Sequence, residues 1–393
     1  MIIEAFRKHY GTGDGVRVFR APGRVNLIGE HTDYNLGFVL PIALDLACFV
    51  AVADSPDGAF RIYSEEKHQG REWTAAEVVS LAPSHDWSDY MMGVARELIQ
   101  AGFPIAPKLL LVRSTVPEGS GLSSSAALEV SSALALLDGR EIPPLALAKL
   151  CQRAEVDFVG TPCGIMDQYV SVFAREHAAL RIDCRSLESE SVTLPDGIEI
   201  LAVNSMVKHA LGHSAYKQRT QECAAAVDAI RRLDGNVQSL RDVTVAQLER
   251  SMPSMPGIIA RRARHVVTEN ERVGLFVNAC QRGDLERMAQ LMVESHVSLQ
   301  HDYEVSAPEL DFLVDTAIGI DGVLGARMTG GGFGGCTVNL LRQGASESFR
   351  STIAHAYQER FGIKPQIFDC RPSGGAGEVK NFERIPASAT LSG

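Results

Sequence analysis

The chain is poor in everything that would send it to a membrane, to nucleic acid or to an oxidising compartment. Its eight cysteines are scattered without a C-x-x-C pair. That argues against a zinc knuckle and a disulfide framework, and reduced thiols in a cytoplasmic protein are expected. Basic residues are too few, because 38 Lys and Arg against 48 Asp and Glu leave a formal charge of −10. Nucleic acid and anionic membranes are thereby excluded as main partners. The longest apolar stretch, 38–53, is broken by Pro41 and Asp45 and is too short to cross a bilayer. The opening M-I-I-E-A-F-R-K-H-Y lacks the basic flank and apolar run of a signal peptide. No internal repeat is present, and no Pro- or Gly-rich linker separates the halves of the chain, so they should pack tightly. With 393 residues, 45% of them hydrophobic and 22% charged, the sequence reads as a soluble globular protein of two domains.

What is present centres on 116–130, V-P-E-G-S-G-L-S-S-S-A-A-L-E-V. Gly119 and Gly121 precede Ser123, Ser124 and Ser125, and Ala127, Val130, Leu134 and Leu137 then recur at helical spacing. A helix should therefore begin at the serines. Its first N–H groups lack intrahelical partners and carry partial positive charge, which suits an anion. Glycines allow close backbone approach, and hydroxyls can donate to phosphate oxygens or ligate a divalent cation. No lysine follows the glycines, so this is not a Walker loop. A serine cap after a flexible turn would need one hydroxyl, and three together point to a phosphate cradle.

Upstream, Glu30, His31, Thr32 and Asp33 form a polar island between apolar V-N-L-I-G and F-V-L-P-I-A-L. Such an island should line a cleft and could satisfy the hydroxyls of a sugar. Arg24 could equally hold a phosphate or pair with an acid. Asp167, in G-T-P-C-G-I-M-D-Q-Y, reads first as a helix N-terminal charge and second as a general base. Near residue 330, G-x-G-x-x-G is matched, but C-T-V-N-L-L after it reads as a strand, so the dinucleotide fingerprint is rejected. Those glycines instead predict backbone packed against a ligand or another loop. Strands are expected at 16–21, 38–53, 60–64, 71–74, 108–116, 177–184, 198–204 and 366–370. Helices are expected at 88–100, 144–158, 213–233, 243–252, 257–282, 284–300, 308–320 and 347–361. The shift from strand-rich to helix-rich near 200 marks the domain boundary, and the tail beyond Pro372 should be loosely ordered.

Four segments together resemble the galactokinase family of the GHMP small-molecule kinases. They are G-R-V-N-L-I-G-E-H-T-D-Y-N at 23–35, P-E-G-S-G-L-S-S-S-A-A at 117–127, C-G-I-M-D-Q at 163–168 and G-A-R-M-T-G-G-G-F-G-G-C at 325–336. They occur in the family's order, and the similarity extends through N-S-M-V-K-H-A-L-G-H-S-A-Y-K-Q-R. The resemblance implies an α+β fold of two domains. Residues 1–195 would form an N-terminal mixed-sheet domain like domain 2 of ribosomal protein S5, binding galactose and ATP. Residues 196–380 would form a ferredoxin-like C-terminal domain, and 381–393 a flexible tail. It also implies transfer of the ATP γ-phosphoryl group to the C1 hydroxyl of α-D-galactose, the first committed step of galactose metabolism. Asp167 would be the base and Arg24 the stabiliser of developing charge. Because a guanidinium favours an ionised, weakly basic carboxylate, positioning and electrostatics must supply most of the acceleration. Glu30, His31, Thr32, Asp33, Gly164, Asp183 and Tyr216 would bind the sugar. Gly119, Ser120, Gly121, Leu122, Ser123, Ser124 and Ser125 would cradle the triphosphate, with Trp87 near the adenine. Ser125 and Glu155 would ligate Mg²⁺, which takes one or two protein oxygens beside phosphates. Val156 follows Glu155 where relatives often carry Asn, a departure that touches none of the expected chemistry.

Two rival readings remain open. A kinase for N-acetylgalactosamine or arabinose would keep the mechanism and change the pocket. A non-catalytic sensor of galactose and ATP would lack part of the serine–alanine cradle, which is complete here. A monomer is expected, because no stretch advertises a self-complementary interface.

Overall fold

A computed structural model of the chain describes residues 1–208, 212–382 and 385. In chain order the first half contains α1 (Ile2–Tyr10), β1 (Arg17–Asn26), β2 (Phe38–Val39), β3 (Pro41–Asp54), β4 (Ala59–Ser64) and β5 (Gln69–Thr74). These are followed by α2 (Ala75–Ser80), α3 (Ser88–Gln100), β6 (Lys108–Ser114), α4 (Ser124–Leu137), α5 (Pro144–Arg153), α6 (Met166–Phe173), β7 (Ala178–Asp183) and β8 (Glu188–Thr193). The second half runs through β9 (Ile198–Lys208), α7 (Gly212–Arg231), α8 (Val245–Ser251), α9 (Gly257–Arg282), α10 (Leu285–Ser298) and α11 (Pro308–Ile318). It closes with β10 (Val323–Thr329), β11 (Gly334–Arg342), α12 (Ser346–Phe361), β12 (Gln366–Asp369) and β13 (Gly377–Glu378).

Three sheets organise these elements. The first is ordered β13-β1-β3-β6-β4-β5, antiparallel except for the β4–β6 pair, and so is mixed. The apolar run of β3 is buried along most of its length, as a central strand covered on both faces requires. A small sheet β2-β7-β8 lies beside it, and a wholly antiparallel sheet β10-β11-β9-β12 forms the second domain. Its order, with α11 leading into β10 and α12 linking β11 to β12, is the ferredoxin-like arrangement expected from the resemblance. One continuous core joins the halves, bringing Val50 and Leu110 of the first sheet together with Ala202, Phe276 and Val338 of the second half. The expected tight packing is present.

Punctuation in the sequence accounts for most boundaries. Pro144 and Pro308 open α5 and α11 at the first helical position, and Gly283 and Gly362 end α9 and α12 in the left-handed conformation. Short elements such as α2, β8 and β10 are not among the expected ones, and three further features depart from expectation. Helix α1 anchors only Ile2 and Phe6 in the core, too short a pattern to read as a helix beforehand. The helix expected to reach residue 158 leaves α geometry at Arg153 and continues as a π-turn over Ala154–Val159.

The third departure corrects the expected loose tail beyond Pro372. β13 pairs with β1 at Phe19 and Arg20, and the Arg20 guanidinium donates to Gly374 O at 3.0 Å and to Ser373 Oγ at 3.0 Å. The physical reason is that β1 would otherwise be an unpaired sheet edge. Of the expected flexible tail, residues 383–384 and 386–393 lie outside the described residues, whereas Ile385 is buried.

Candidate active site

The site begins with a defect in β1. The register between β1 and β3 shifts between Pro22 and Arg24, and such a bulge re-aims the side chains that follow it. At Gly23 a Cβ would lie 2.6 Å from Leu122 O, and Arg24 N donates to that same carbonyl at 3.0 Å. The strand and the cradle loop therefore touch backbone to backbone. From this point the Arg24 guanidinium grips Asp167 with both prongs, Nε to Oδ1 at 2.8 Å and Nη2 to Oδ2 at 2.7 Å, while Nη1 donates to Gly121 O. Ser123 Oγ donates to Asp167 Oδ2 at 2.5 Å. Arg24 thus pairs with an acid, and Asp167 occupies the first turn of α6, where the helix dipole favours a carboxylate. Of the two roles weighed for Asp167, the fold displays the first, a carboxylate at a helix N-terminus.

The cradle has the form its glycines and serines predicted. Gly119, Gly121 and Ser123 all have positive φ (66°, 79° and 60°), and α4 starts at Ser124. Not every cradle side chain is available to a ligand. Ser120 Oγ donates to Pro117 O at 2.8 Å, and Leu122 is fully buried, so these two can contribute only backbone. The second glycine-rich loop braces the first. A Cβ on Gly330 would lie 3.2 Å from Gly121 O, and one on Gly335 would lie 3.1 Å from Ser120 O. The expected close packing of that loop is against the cradle.

A cleft of about 660 Å³ opens in front of the cradle, lined by Arg24, Trp87, Tyr90, Gly119, Ser124, Ser125, Glu155 and Asp167. Trp87 stands on a turn held by Asp89, whose carboxylate accepts from Ser84 N and His85 N. Glu155 projects from the π-turn and is only 5% exposed. Burial first, then the nearby Asp167 charge, push its carboxyl up to about 7, against a hydrogen bond from Ser125 that favours ionisation. Two residues that the sequence reading missed complete this corner. Gln168 Nε2 donates to Glu155 Oε2 at 2.7 Å and to Glu129 Oε2 at 3.0 Å, and burial holds the Glu129 carboxyl well above the ordinary range. Their signal was legible, since Glu129 is one helical turn from Ser125 and Gln168 adjoins Asp167.

Residues 30–32 of the polar island are buried against the second domain, and Asp33 is half-buried. Glu30 Oε1 accepts from Thr329 Oγ1 at 2.9 Å and from Gly330 N at 2.8 Å, tying it to the glycine-rich loop. His31 is buried among the rings of Tyr34, Tyr216 and Tyr303. Burial first, then the charge of its neighbours, push Asp33 up to about 7. A Cβ on Gly164 would collide with the Asp33 carboxylate, so glycine there makes room for it.

Thr32 and Asp183 are placed otherwise than the resemblance implied. The Thr32 hydroxyl donates to Gly29 O and Phe38 O inside the loop, which makes it a brace for the backbone. Asp183 Oδ1 accepts from Arg185 N at 2.9 Å and Oδ2 from Arg241 Nη2 at 3.0 Å. Both its oxygens are occupied at a turn, outside the cleft that holds Arg24 and Asp167. Of the long similar segment near Tyr216, residues 209–211 lie outside the described residues.

With this geometry in place, comparison with known proteins is informative. Residues 4–54 match the family described as galactokinase galactose-binding signature, 89–175 the GHMP kinases N terminal domain and 276–359 the GHMP kinases C terminal. The chain is 43% identical over 383 residues to a galactokinase of Roseiflexus sp. (strain RS-1), covering 97% of each chain. The chain belongs to the galactokinase family. A galactokinase of Thermotoga maritima is 40% identical, with 92% of this chain and 99% of that protein covered. The crystal structure of Lactococcus lactis galactokinase complexed with galactose superposes with a TM-score of 0.92 at 34% identity, covering 96% of this chain and 99% of that one. A mevalonate kinase structure shares the fold alone, with a TM-score of 0.62 at 17% identity. Family membership makes this protein an ATP-dependent sugar kinase.

Proposed function

We propose that the protein transfers the γ-phosphoryl group of ATP to the C1 hydroxyl of α-D-galactose, giving galactose 1-phosphate and ADP. The observation that carries this reading is the Arg24–Asp167–Ser123 contact, set where the cradle meets the loop bearing Glu30, His31 and Asp33. The cradle amides and the hydroxyls of Ser124 and Ser125 hold the triphosphate. Glu30, His31, Asp33, Gly164 and Tyr216 surround the sugar, and Trp87 lies beside the adenine. Asp167 Oδ2 already accepts from Arg24 and Ser123, so Oδ1, with one donor, keeps the capacity to take the hydroxyl proton. The O1–P bond forms as the bond to the ADP oxygen breaks, and Arg24 offsets the charge that develops between them. With little covalent work for the protein, orientation supplies most of the acceleration.

The donor set fits Mg²⁺. Among the described residues no cluster of three or more His, Cys, Asp or Glu could hold a metal by itself. Ser125 and Glu155 supply the one or two oxygens that Mg²⁺ takes from protein when phosphates provide the rest. The cation, when bound, screens the phosphate charges, and Glu155, strained by its acidic neighbours, gains a counter-charge.

In this reading residues 1–195 form the ligand-binding domain and 196–380 the second, with β13 lent back to the first sheet. No helix among the described residues is long and apolar enough to cross a membrane, and we place the protein in the cytoplasm as a monomer. The test is ADP release from Mg-ATP across galactose, 2-deoxygalactose, galactosamine, N-acetylgalactosamine, arabinose and glucose. Turnover led by galactose and lost without Mg²⁺ is expected. Turnover led by another sugar would move the substrate, and binding of both ligands without turnover would replace the enzyme by a sensor.

A further inference from the structure

The side chain of His31 is the end of a hydrogen-bond chain that the reaction above does not use. Its Nδ1 lies 2.9 Å from Tyr34 Oη, Tyr34 Oη lies 2.6 Å from Tyr303 Oη, and Tyr303 Oη lies 3.2 Å from Cys223 Sγ. Asn35 Nδ2 points at the same sulfur from 3.7 Å. At the other end, His31 Nε2 is buried with no hydrogen-bond partner among the described residues. Burial holds the imidazole neutral, at about 3. A neutral imidazole carries one proton, and the bond made by one nitrogen decides what the other presents.

We infer that Tyr34, backed by Tyr303 and Cys223, is a positioning residue that holds His31 in its Nε2–H tautomer, so that the ring offers the sugar a donor. The polarity follows from the groups in the chain. A phenol is a better donor and a poorer acceptor than an imidazole nitrogen, so the Tyr34 hydroxyl donates to Nδ1. Its oxygen is then free to accept from Tyr303, and the Tyr303 oxygen from the Cys223 thiol, whose sulfur accepts from Asn35. Each hydrogen has one acceptor. Reversing the chain would make the sulfur accept from both Asn35 and Tyr303 and leave the thiol hydrogen without an acceptor within the chain.

The chain is held from behind by fixed charge. Arg219 donates to Tyr303 O at 2.7 Å and to Glu304 O at 2.8 Å, and the buried Arg262 donates to Asp302 O at 2.6 Å. Tyr303 therefore cannot follow a displaced Tyr34, and the second domain decides which hydrogen-bonding face of His31 the first domain shows. A sugar hydroxyl oxygen opposite Nε2 would be accepting, which leaves its own proton for a carboxylate such as Asp33 or Glu30. An analogue carrying a hydrogen in place of that hydroxyl would strand the Nε2–H.

This inference rests on the proposed contact between His31 and galactose, and the experiment separates the two. ¹⁵N-histidine-labelled protein is examined by NMR, with His31 assigned by its loss in His31→Ala. The wild type should show Nε2 protonated and Nδ1 bare, with no sugar present. Tyr34→Phe should lose that bias and raise the galactose KM about tenfold, the scale of one hydrogen bond, with kcat and the ATP KM within about twofold. Tyr303→Phe should shift the same signal in the same direction, which keeps the test available if Tyr34→Phe does not fold. An Nδ1–H signal in the wild type overturns the relay, as does an unchanged tautomer in both tyrosine variants. His31→Ala leaving the galactose KM unchanged overturns the sugar contact itself, whatever the spectrum shows.

Discussion

At the scale of single residues, two carboxylates carry different burdens. Asp167 is paired with a two-pronged, buried guanidinium and a serine hydroxyl, so replacing it removes the carboxylate from the chemistry and also leaves the Arg24 charge unpaired at some cost in stability. Asp167→Asn should lower kcat about 10³-fold while galactose and ATP still bind, within the range that loss of a general base costs. Isothermal titration beside steady-state kinetics checks this, and turnover near wild type would remove the assigned role. Asp33 is the opposite case, since burial and the Asp167 charge hold its carboxyl up near 7. The folded chain then binds this proton more tightly than the unfolded chain does, whose aspartates titrate near 3.9. Ionising Asp33 therefore costs stability above that value, and the cost grows until the pH passes about 7. Asp33→Asn should raise the melting temperature of the ligand-free protein by a few degrees at pH 8, with the gain shrinking towards pH 4, and should weaken galactose binding throughout.

At the scale of elements, the site is made by backbones that touch. β1, the cradle and the glycine-rich loop meet at Gly23, Gly330 and Gly335, where a Cβ would crowd facing backbone, and at Gly121, whose positive φ disfavours a side chain. Gly330→Ala should cost about 1–2 kcal/mol from its left-handed φ alone, and more from a Cβ 3.2 Å from Gly121 O. The ATP KM should rise several-fold and the galactose KM less, because the cradle is what moves. Thermal melting together with the two KM values checks this, and a larger effect on galactose would show that the loop serves the sugar instead. The π-turn at Ala154–Val159 belongs at this scale too. It adds a residue to the turn that carries Glu155, as π-turns at functional sites commonly do.

At the scale of the whole molecule, the two sheets share one core and the chain's end returns to the first sheet. Ending the chain at Pro372 should lower the melting temperature by several degrees, since it frees the edge of β1 and removes buried Ile385. A truncated protein that melts with the full chain would show that β13 contributes little. Unfolding of the full chain should be a single transition, because no plane separates the halves without cutting the core.

Helical periodicity placed α3 and α9 to the residue, and the glycine and serine run placed the start of α4, because these patterns are local. The motifs named Arg24 and Asp167 for the same reason. That these two form one ion pair, that Thr32 braces its own loop, and that Asp183 spends both oxygens on a turn and Arg241 are facts of the folded chain. So is the joining of Glu155 to Glu129 through Gln168, and of His31 to Cys223 through two tyrosines. Residue type and spacing declare which groups can do chemistry, because propensity and periodicity act over a few residues. Which of them remain free to do it depends on hydrogen bonds between segments far apart in the chain, such as Arg24 with Asp167 inside the first domain and Asn26 with Thr329 across the two, and only tertiary packing sets those.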